Sequence, residues 1–328
     1  MWLTWLADVL RGAGLTVIEE PGWKTRGFAH ASSPGGALVG LTGGLVHHTG
    51  GSALAAGDYP LLRYITYVGR SDAPPPLAQL GLGRAGAWYV LAAGRANHSG
   101  AVDDPRYANP RCVGVEAEHP GGSAPWPSVQ YRSYVTGCAA LALYSGITWR
   151  AHKEAAIPYG RKPDPNFDMN RFRANVAVRM TELRAHGRAV QEALCALDLP
   201  VKVDGIIGPE SVAATRRAQE ALGLVVDGFP GPVTLAALRN AAIPAPEEDP
   251  MPTPEQIAAA VWAHPVTIAL PDGSEHTEQA GVWLAWGNRH ALAAVGEVAL
   301  DQDAVANAVI EKISATLNSI RLEVKVKE

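Results

Sequence analysis

The sequence predicts an α/β domain, then a small all-α unit built on a repeat, then a small α+β C-terminal unit. Three observations carry that prediction. From about residue 20 to 120, short apolar runs bounded by glycine and proline, such as ALVGLTGGLVHH, AWYVLAAG and CVGVEAEH, read as buried strands. After them, apolar residues recur at three and four, the period of helices packed on a sheet. Finally, VDGIIGPESVAA at 203–214 is echoed by VDGFPGPVTLAAL at 226–238, two copies of one small supersecondary unit.

The opening stretch MWLTWLADVLRGAGL has apolar residues at helical spacing. Between Ser128 and Tyr144, the residues Tyr131, Tyr134, Cys138 and Leu141 form the buried stripe of one helix. Asp168 is placed to cap a second, whose stripe Phe172, Val176, Met180 and Leu183 runs down to His186-Gly187. Residues 1–183 therefore read as one domain. In residues 184–242 each copy of the repeat turns the chain with Asp-Gly and starts a helix with Gly-Pro, and Ser211 or Thr234 lies near that start. Two short helical units sharing one small core are expected. Residues 243–254 hold five prolines with Glu247, Glu248 and Asp249 and read as an extended linker. Residues 255–328 form a further unit with Trp262, Trp283 and Trp286. Its helical stripe Val305, Val309, Ile313 and Leu317 precedes a strand-like alternation at Leu322, Val324 and Val326. That stripe needs a cover, from its own unit or from a partner.

At 328 residues the chain exceeds what a single core usually supports. A formal net charge of -4 gives no electrostatic reason to expect nucleic acid as a partner. Cys112, Cys138 and Cys195 are scattered and odd in number, which argues against a disulfide framework and suits a reducing cytoplasm. Asp8 and Arg11 interrupt the first apolar run, so it does not read as a signal peptide. No stretch reaches the roughly 20 apolar residues that span a bilayer, and stable membrane insertion is not expected.

The chemistry concentrates in a few segments. LVHHTG puts His47 at the end of an apolar strand, where a rigid element can aim an imidazole into a cleft. By itself such a histidine is more often a satisfied core residue. Its company is WRAHKEAAIPYGRKPDPNFDMNRFR, where His152 precedes a loop carrying Arg161, Lys162 and Asp164. Two imidazoles and one carboxylate leave the fourth tetrahedral position open, the arrangement a catalytic Zn²⁺ requires. Taken alone, Asp164 would pair with a neighbouring basic residue. A carboxylate must also move the proton of the attacking water, and Glu116 in VGVEAEH is the candidate, with Glu118 on the same face by alternation as its competitor. Lys162 can stabilise an oxyanion, although an exposed loop lysine is the commoner role. Adjacent strand residues face opposite ways, so only one of His47 and His48 can bind a metal.

Together HHTG at 47–50, VGVE at 113–116 and HKE followed by GRKPDP at 152–165 resemble the type 2 N-acetylmuramoyl-L-alanine amidases, which share their fold with peptidoglycan recognition proteins. The resemblance covers about residues 20–183 and implies a mixed sheet flanked by helices. It implies zinc on His47, His152 and Asp164, so it chooses His47 over His48, and it implies Glu116 and Lys162 as catalytic helpers. The stretch QLGLGRAGAWYVLAAGRANHSG further resembles actinobacteriophage endolysins, and its His98 is expected to face the substrate cleft. The repeat resembles the type 1 peptidoglycan-binding domain through Val190-Gln191, Asp204 to Pro209 and Asp227 to Pro232.

The expectation is therefore a hydrolase that cuts the amide between N-acetylmuramic acid and L-alanine in bacterial peptidoglycan. A tethered wall-binding module raises the local concentration of an insoluble substrate. As a phage endolysin it would wait in the host cytoplasm until a holin opens the membrane, then act on the cell wall. The rival is a recognition protein that binds peptidoglycan without cutting it, a class that typically lacks a ligand at the position of Asp164. For residues 255–328 the choice lies between self-association into a homo-oligomer and a second wall contact, with the first favoured.

Overall fold

The computed structural model describes residues 1–31, 33–242, four positions between 256 and 263, and residues 265–269 and 275–279. It divides into a unit Met1–Pro244 and a unit Ala245–Glu328.

In the first unit, helix α1 (Leu6–Gly12) precedes a six-stranded sheet made of β1 (Val17–Glu19), β2 (Gly43–His48), β3 (Leu80–Leu82), β4 (Trp88–Val90), β5 (Cys112–Ala117) and β6 (Trp149–Ala151). The spatial order is β1-β4-β3-β5-β2-β6. Only the β3–β4 pair is antiparallel, so the sheet is mixed. Parallel strands at the centre of a sheet are covered on both faces, which is why β2 and β5 read as continuous apolar runs. Each has a single residue that is not fully buried, His48 in β2 and Glu116 in β5.

Helices α2 (Ser128–Ser145) and α4 (Met169–Cys195) pack on one face. Tyr134, Cys138, Leu141, Phe172 and Val176 meet Val46, Trp88, Val113 and Val115 there in one apolar cluster. This is the helix stripe expected from the spacing. On the opposite face a smaller cluster of Leu45, Tyr107, Cys112 and Ala155 fills the N-terminal end of the strands. Asp168 caps α4, accepting from the Arg171 amide at 2.8 Å.

The sequence places the end of that helix near His186-Gly187, yet α4 continues for another two turns to Cys195. Gly187 is a contact residue and no terminator. A Cβ there would lie 2.5 Å from the Gly205 carbonyl oxygen, so the missing side chain lets the turn of the repeat dock against the helix.

The repeat forms α5 (Pro209–Ala221) and α6 (Pro232–Ala241), packed with the end of α4 around Val190, Leu194, Ala214, Ala218 and Leu238. Each copy is closed by a buried glutamine. The Gln191 amide donates to Asp204 Oδ1 at 3.1 Å and to the Ile206 carbonyl at 3.0 Å, and its oxygen accepts from the Gly205 amide at 2.7 Å. Gln219 repeats the pattern with Asp227 Oδ1 at 2.8 Å, the Phe229 carbonyl at 3.1 Å and the Gly228 amide at 2.9 Å. The Asp-Gly signature is therefore spent on holding the turns. Replacing Gln191 or Gln219 by alanine leaves several buried groups unpaired at about 1–3 kcal/mol each. We expect a clear drop in the thermal midpoint of either variant, and an unchanged midpoint would show that the staples are dispensable.

In the second unit β7 (Pro265–Ala269) pairs antiparallel with β8 (Glu275–Gln279). The linker and the segments at 305–326 lie outside the described residues. No helix among the described residues is long and apolar enough to cross a membrane.

Candidate active site

Sheet register brings the chemistry together. His47 pairs with Glu116 across the parallel β2–β5 ladder, and Val46 pairs with Ala151 on the other side, so His47, Glu116 and His152 sit side by side at the C-terminal edge of three adjacent strands. That edge is where open α/β sheets place their ligands. The buried Tyr134 hydroxyl reaches across from α2, accepts from the His47 amide at 3.0 Å and lies 3.0 Å from the Val115 carbonyl, locking the two central strand ends.

His152 opens the short helix α3 (His152–Ala155) directly after β6. The loop that follows returns to it, since the Lys153 amide donates to the Asp164 carbonyl at 2.8 Å and Lys153 Nζ to the Phe167 carbonyl at 3.0 Å. Asp164 is thereby held against the two imidazoles. His47 Nδ1 and His152 Nδ1 are 3.0 Å apart, and each lies 3.1 Å from Asp164 Oδ2.

The far sides of the rings determine what faces inward. His152 Nε2 lies 3.1 Å from the Ser99 carbonyl, which can only accept, so that nitrogen carries the proton and Nδ1 a lone pair. His98 Nε2 lies 3.2 Å from the Cys112 carbonyl by the same logic, leaving its Nδ1 to accept from His47 Nε2 at 3.2 Å. His47 Nδ1 therefore also presents a lone pair. Burial, reinforced by His152, pushes the His47 pKa down to about 4, keeping the ring neutral.

Three lone-pair donors facing one another repel unless a proton or a cation stands between them. Their spacing is a few tenths of an ångström short of the roughly 3.3 Å edge of a tetrahedron with metal–ligand distances of about 2.0–2.1 Å. The donor set thus fits a zinc ion. Among the described residues His47, His152 and Asp164 are the group of histidine and carboxylate side chains able to hold a metal.

Glu116 Oε1 lies 3.8 Å from His47 Nδ1, and its Oε2 is buried without a partner. Burial and then Asp164 raise its pKa well above the ordinary value, with Lys162 acting in the opposite sense. Lys162 is half-buried, and its ammonium acts on both Glu116 and His47. Glu118 is elsewhere. Its carboxylate accepts from the Leu61 amide at 3.3 Å and Thr49 Oγ1 at 3.4 Å, with Arg84 3.7 Å away, which anchors the loop after β2.

His48 points to the helix side, its ring 6.0 Å from His119 and 6.5 Å from Trp126. His98 departs from its expected position. It is only 6% exposed and lies behind His47, with both ring nitrogens engaged, instead of facing a substrate cleft. Alternation along a strand could not have shown this, because His98 lies in the loop after β4. Sequence reasoning also passed over Tyr134 as a site residue, and over the Ser99 carbonyl, which has no side-chain signature. Cys112 is buried and its thiol is pushed up by burial, as suits an inert residue whose carbonyl is the useful group.

A family model described as N-acetylmuramoyl-L-alanine amidase matches residues 41–167, and one described as a peptidoglycan binding domain matches residues 188–238. Solved structures similar to the chain include the endolysin amidase LysCS from Clostridium intestinale URNW, at 18% identity and a TM-score of 0.36 over 49% of this chain and 95% of that one. Drosophila PGRP-LB matches at 14% identity and a TM-score of 0.36 over 50% and 93%. The Ph2119 endolysin of a Thermus scotoductus MAT2119 bacteriophage matches at 15% identity and a TM-score of 0.32 over 49% and 98%. No curated protein matches the chain.

Proposed function

We propose that this chain, matched over residues 41–167 by the N-acetylmuramoyl-L-alanine amidase family model and over residues 188–238 by the peptidoglycan binding domain model, is a zinc-dependent peptidoglycan amidase acting as a phage endolysin. The observation that carries the metal reading is the convergence of His47 Nδ1, His152 Nδ1 and Asp164 Oδ2 within 3.1 Å, with Glu116 on the neighbouring strand. Zinc bound by these three side chains supplies Lewis acidity that brings the pKa of a water to near 7 and polarises an amide carbonyl.

The rest of the chemistry falls to the chain. Glu116 takes the proton of the attacking water and returns it to the departing L-alanine nitrogen. Lys162 offsets the negative charge that develops on the carbonyl oxygen of the lactyl amide. The glutamine-stapled repeat tethers the catalytic domain to its polymer and raises the local concentration of scissile bonds. The phage setting rests on the resemblance of residues 79–100 to actinobacteriophage endolysins.

Digestion of purified cell walls tests the reaction. The expected products are new L-alanine amino termini with no new reducing sugar ends. Accumulation of sugar ends, or walls bound without cleavage, would overturn it. Made inside a susceptible host, the protein is expected to lyse cells only after the membrane is permeabilised.

A further inference from the structure

Both imidazoles of the site are held from behind by one dipeptide, His98-Ser99, in the loop between β4 and β5. The His98 ring accepts from His47 Nε2 at 3.2 Å, and the Ser99 carbonyl accepts from His152 Nε2 at 3.1 Å. The dipeptide is itself pinned at a single atom. Asn109 Oδ1 accepts from the His98 amide at 3.0 Å, the Ser99 amide at 2.9 Å and Ser99 Oγ at 2.9 Å. Three donors on an oxygen with two lone pairs is more than a loop needs to satisfy its own backbone. The loop carrying Asp164 reaches the same segment, because Arg161 Nη2 donates to the Ala101 carbonyl at 3.0 Å and its Nε to the Ile157 carbonyl at 2.9 Å. Residues 98–101 are thus the common reference for all three metal-site side chains, although they lie far from each of them in sequence.

We propose that His98, Ser99 and Asn109 form an orienting clip that fixes both imidazoles with Nδ1 inward, so that Asn109 is a positioning residue for a metal it does not touch. The proposal rests on the metal-site reading given above. A carbonyl acceptor behind one ring and an imidazole acceptor behind the other hold each tautomer and each ring plane. Loss of such an outer partner typically weakens metal affinity by about 10–100-fold.

The test measures Zn²⁺ affinity of the full chain by competition with a chromophoric chelator, and the visible absorption of its Co²⁺ form, which reports ligand geometry. His98→Leu removes the acceptor behind His47, whereas His98→Asn retains an amide oxygen able to accept from it. Asn109→Ala removes the pin, whereas Asn109→Asp keeps an oxygen able to accept all three hydrogen bonds. His98→Leu and Asn109→Ala are expected to bind Zn²⁺ about 10–100-fold more weakly with altered Co²⁺ bands, and their conservative counterparts to stay within about threefold of the parent. Thermal unfolding of the metal-free proteins identifies any variant that fails to fold, in which case the pair at the other position decides. Folded variants with parental affinity and spectrum overturn the clip alone, as does equal weakening by Asn109→Ala and Asn109→Asp. A parent chain that takes up neither ion overturns the metal reading and the clip with it.

Discussion

Asp164→Ala lowers the release of L-alanine amino termini from cell walls by on the order of a thousandfold, and a chelator does the same to the parent protein. The size follows from a Lewis acid worth several kcal/mol of transition-state stabilisation, at about 1.4 kcal/mol per tenfold in rate. Zinc restores the chelated parent. It does not restore the variant, because two neutral imidazoles without the Asp164 carboxylate lack both a third ligand and its charge. Since Asp164 Oδ2 is 3.1 Å from both rings, its removal strikes the centre of the cluster. Activity that survives both the chelator and the substitution would rule out the metal mechanism.

Glu116→Gln separates catalysis from folding. The rate falls by about 10²–10⁴-fold, the usual contribution of a positioned general base, while Zn²⁺ uptake persists. Stability should not suffer. Burial raises the Glu116 pKa, so the folded state binds a proton more tightly than the unfolded one. The stabilisation from that proton is present at low pH and is lost as pH rises through the folded pKa, above which a disfavoured buried charge remains. A neutral amide of the same shape removes that penalty, and the metal-free variant is expected to melt at or above the parental temperature. Glu118→Gln does the reverse. It loses the charge that faces Arg84 but keeps an oxygen to accept from Leu61 and Thr49, with little direct effect on the chemical step. If Glu118→Gln abolished cleavage and Glu116→Gln spared it, the assignment of the base would be reversed.

The two carboxylates illustrate how far pattern reading reaches. Alternation puts Glu116 and Glu118 on one face, but β5 ends at Ala117, and past a strand end alternation no longer controls direction. The backbone therefore turns Glu118 toward the loop after β2. Gly187 is a similar case. Within its helix a glycine looks like a stop, and only the approach of Gly205 reveals it as a contact. The histidine pair is different, since alternation sends the two rings to opposite sides, His47 to the cluster and His48 toward His119 and Trp126. Which ring took which side depended on the registers of β2 with β5 and β6.

By itself the sequence determined the candidate site residues and the parts list of the fold. Ionisable residues at the ends of apolar runs, a capped helix at Asp168 and a repeated Asp-Gly, Gly-Pro unit are local signals, written in residue type and spacing. The tertiary structure alone decided how those parts act on one another: His98 behind His47 instead of in a cleft, the Ser99 carbonyl behind His152, and Gln191 and Gln219 stapling the turns. The physical reason is that such contacts join positions distant in the chain, and often through backbone atoms. Every residue but proline offers the same amide and carbonyl, so no spacing of side chains can announce which of them will be used.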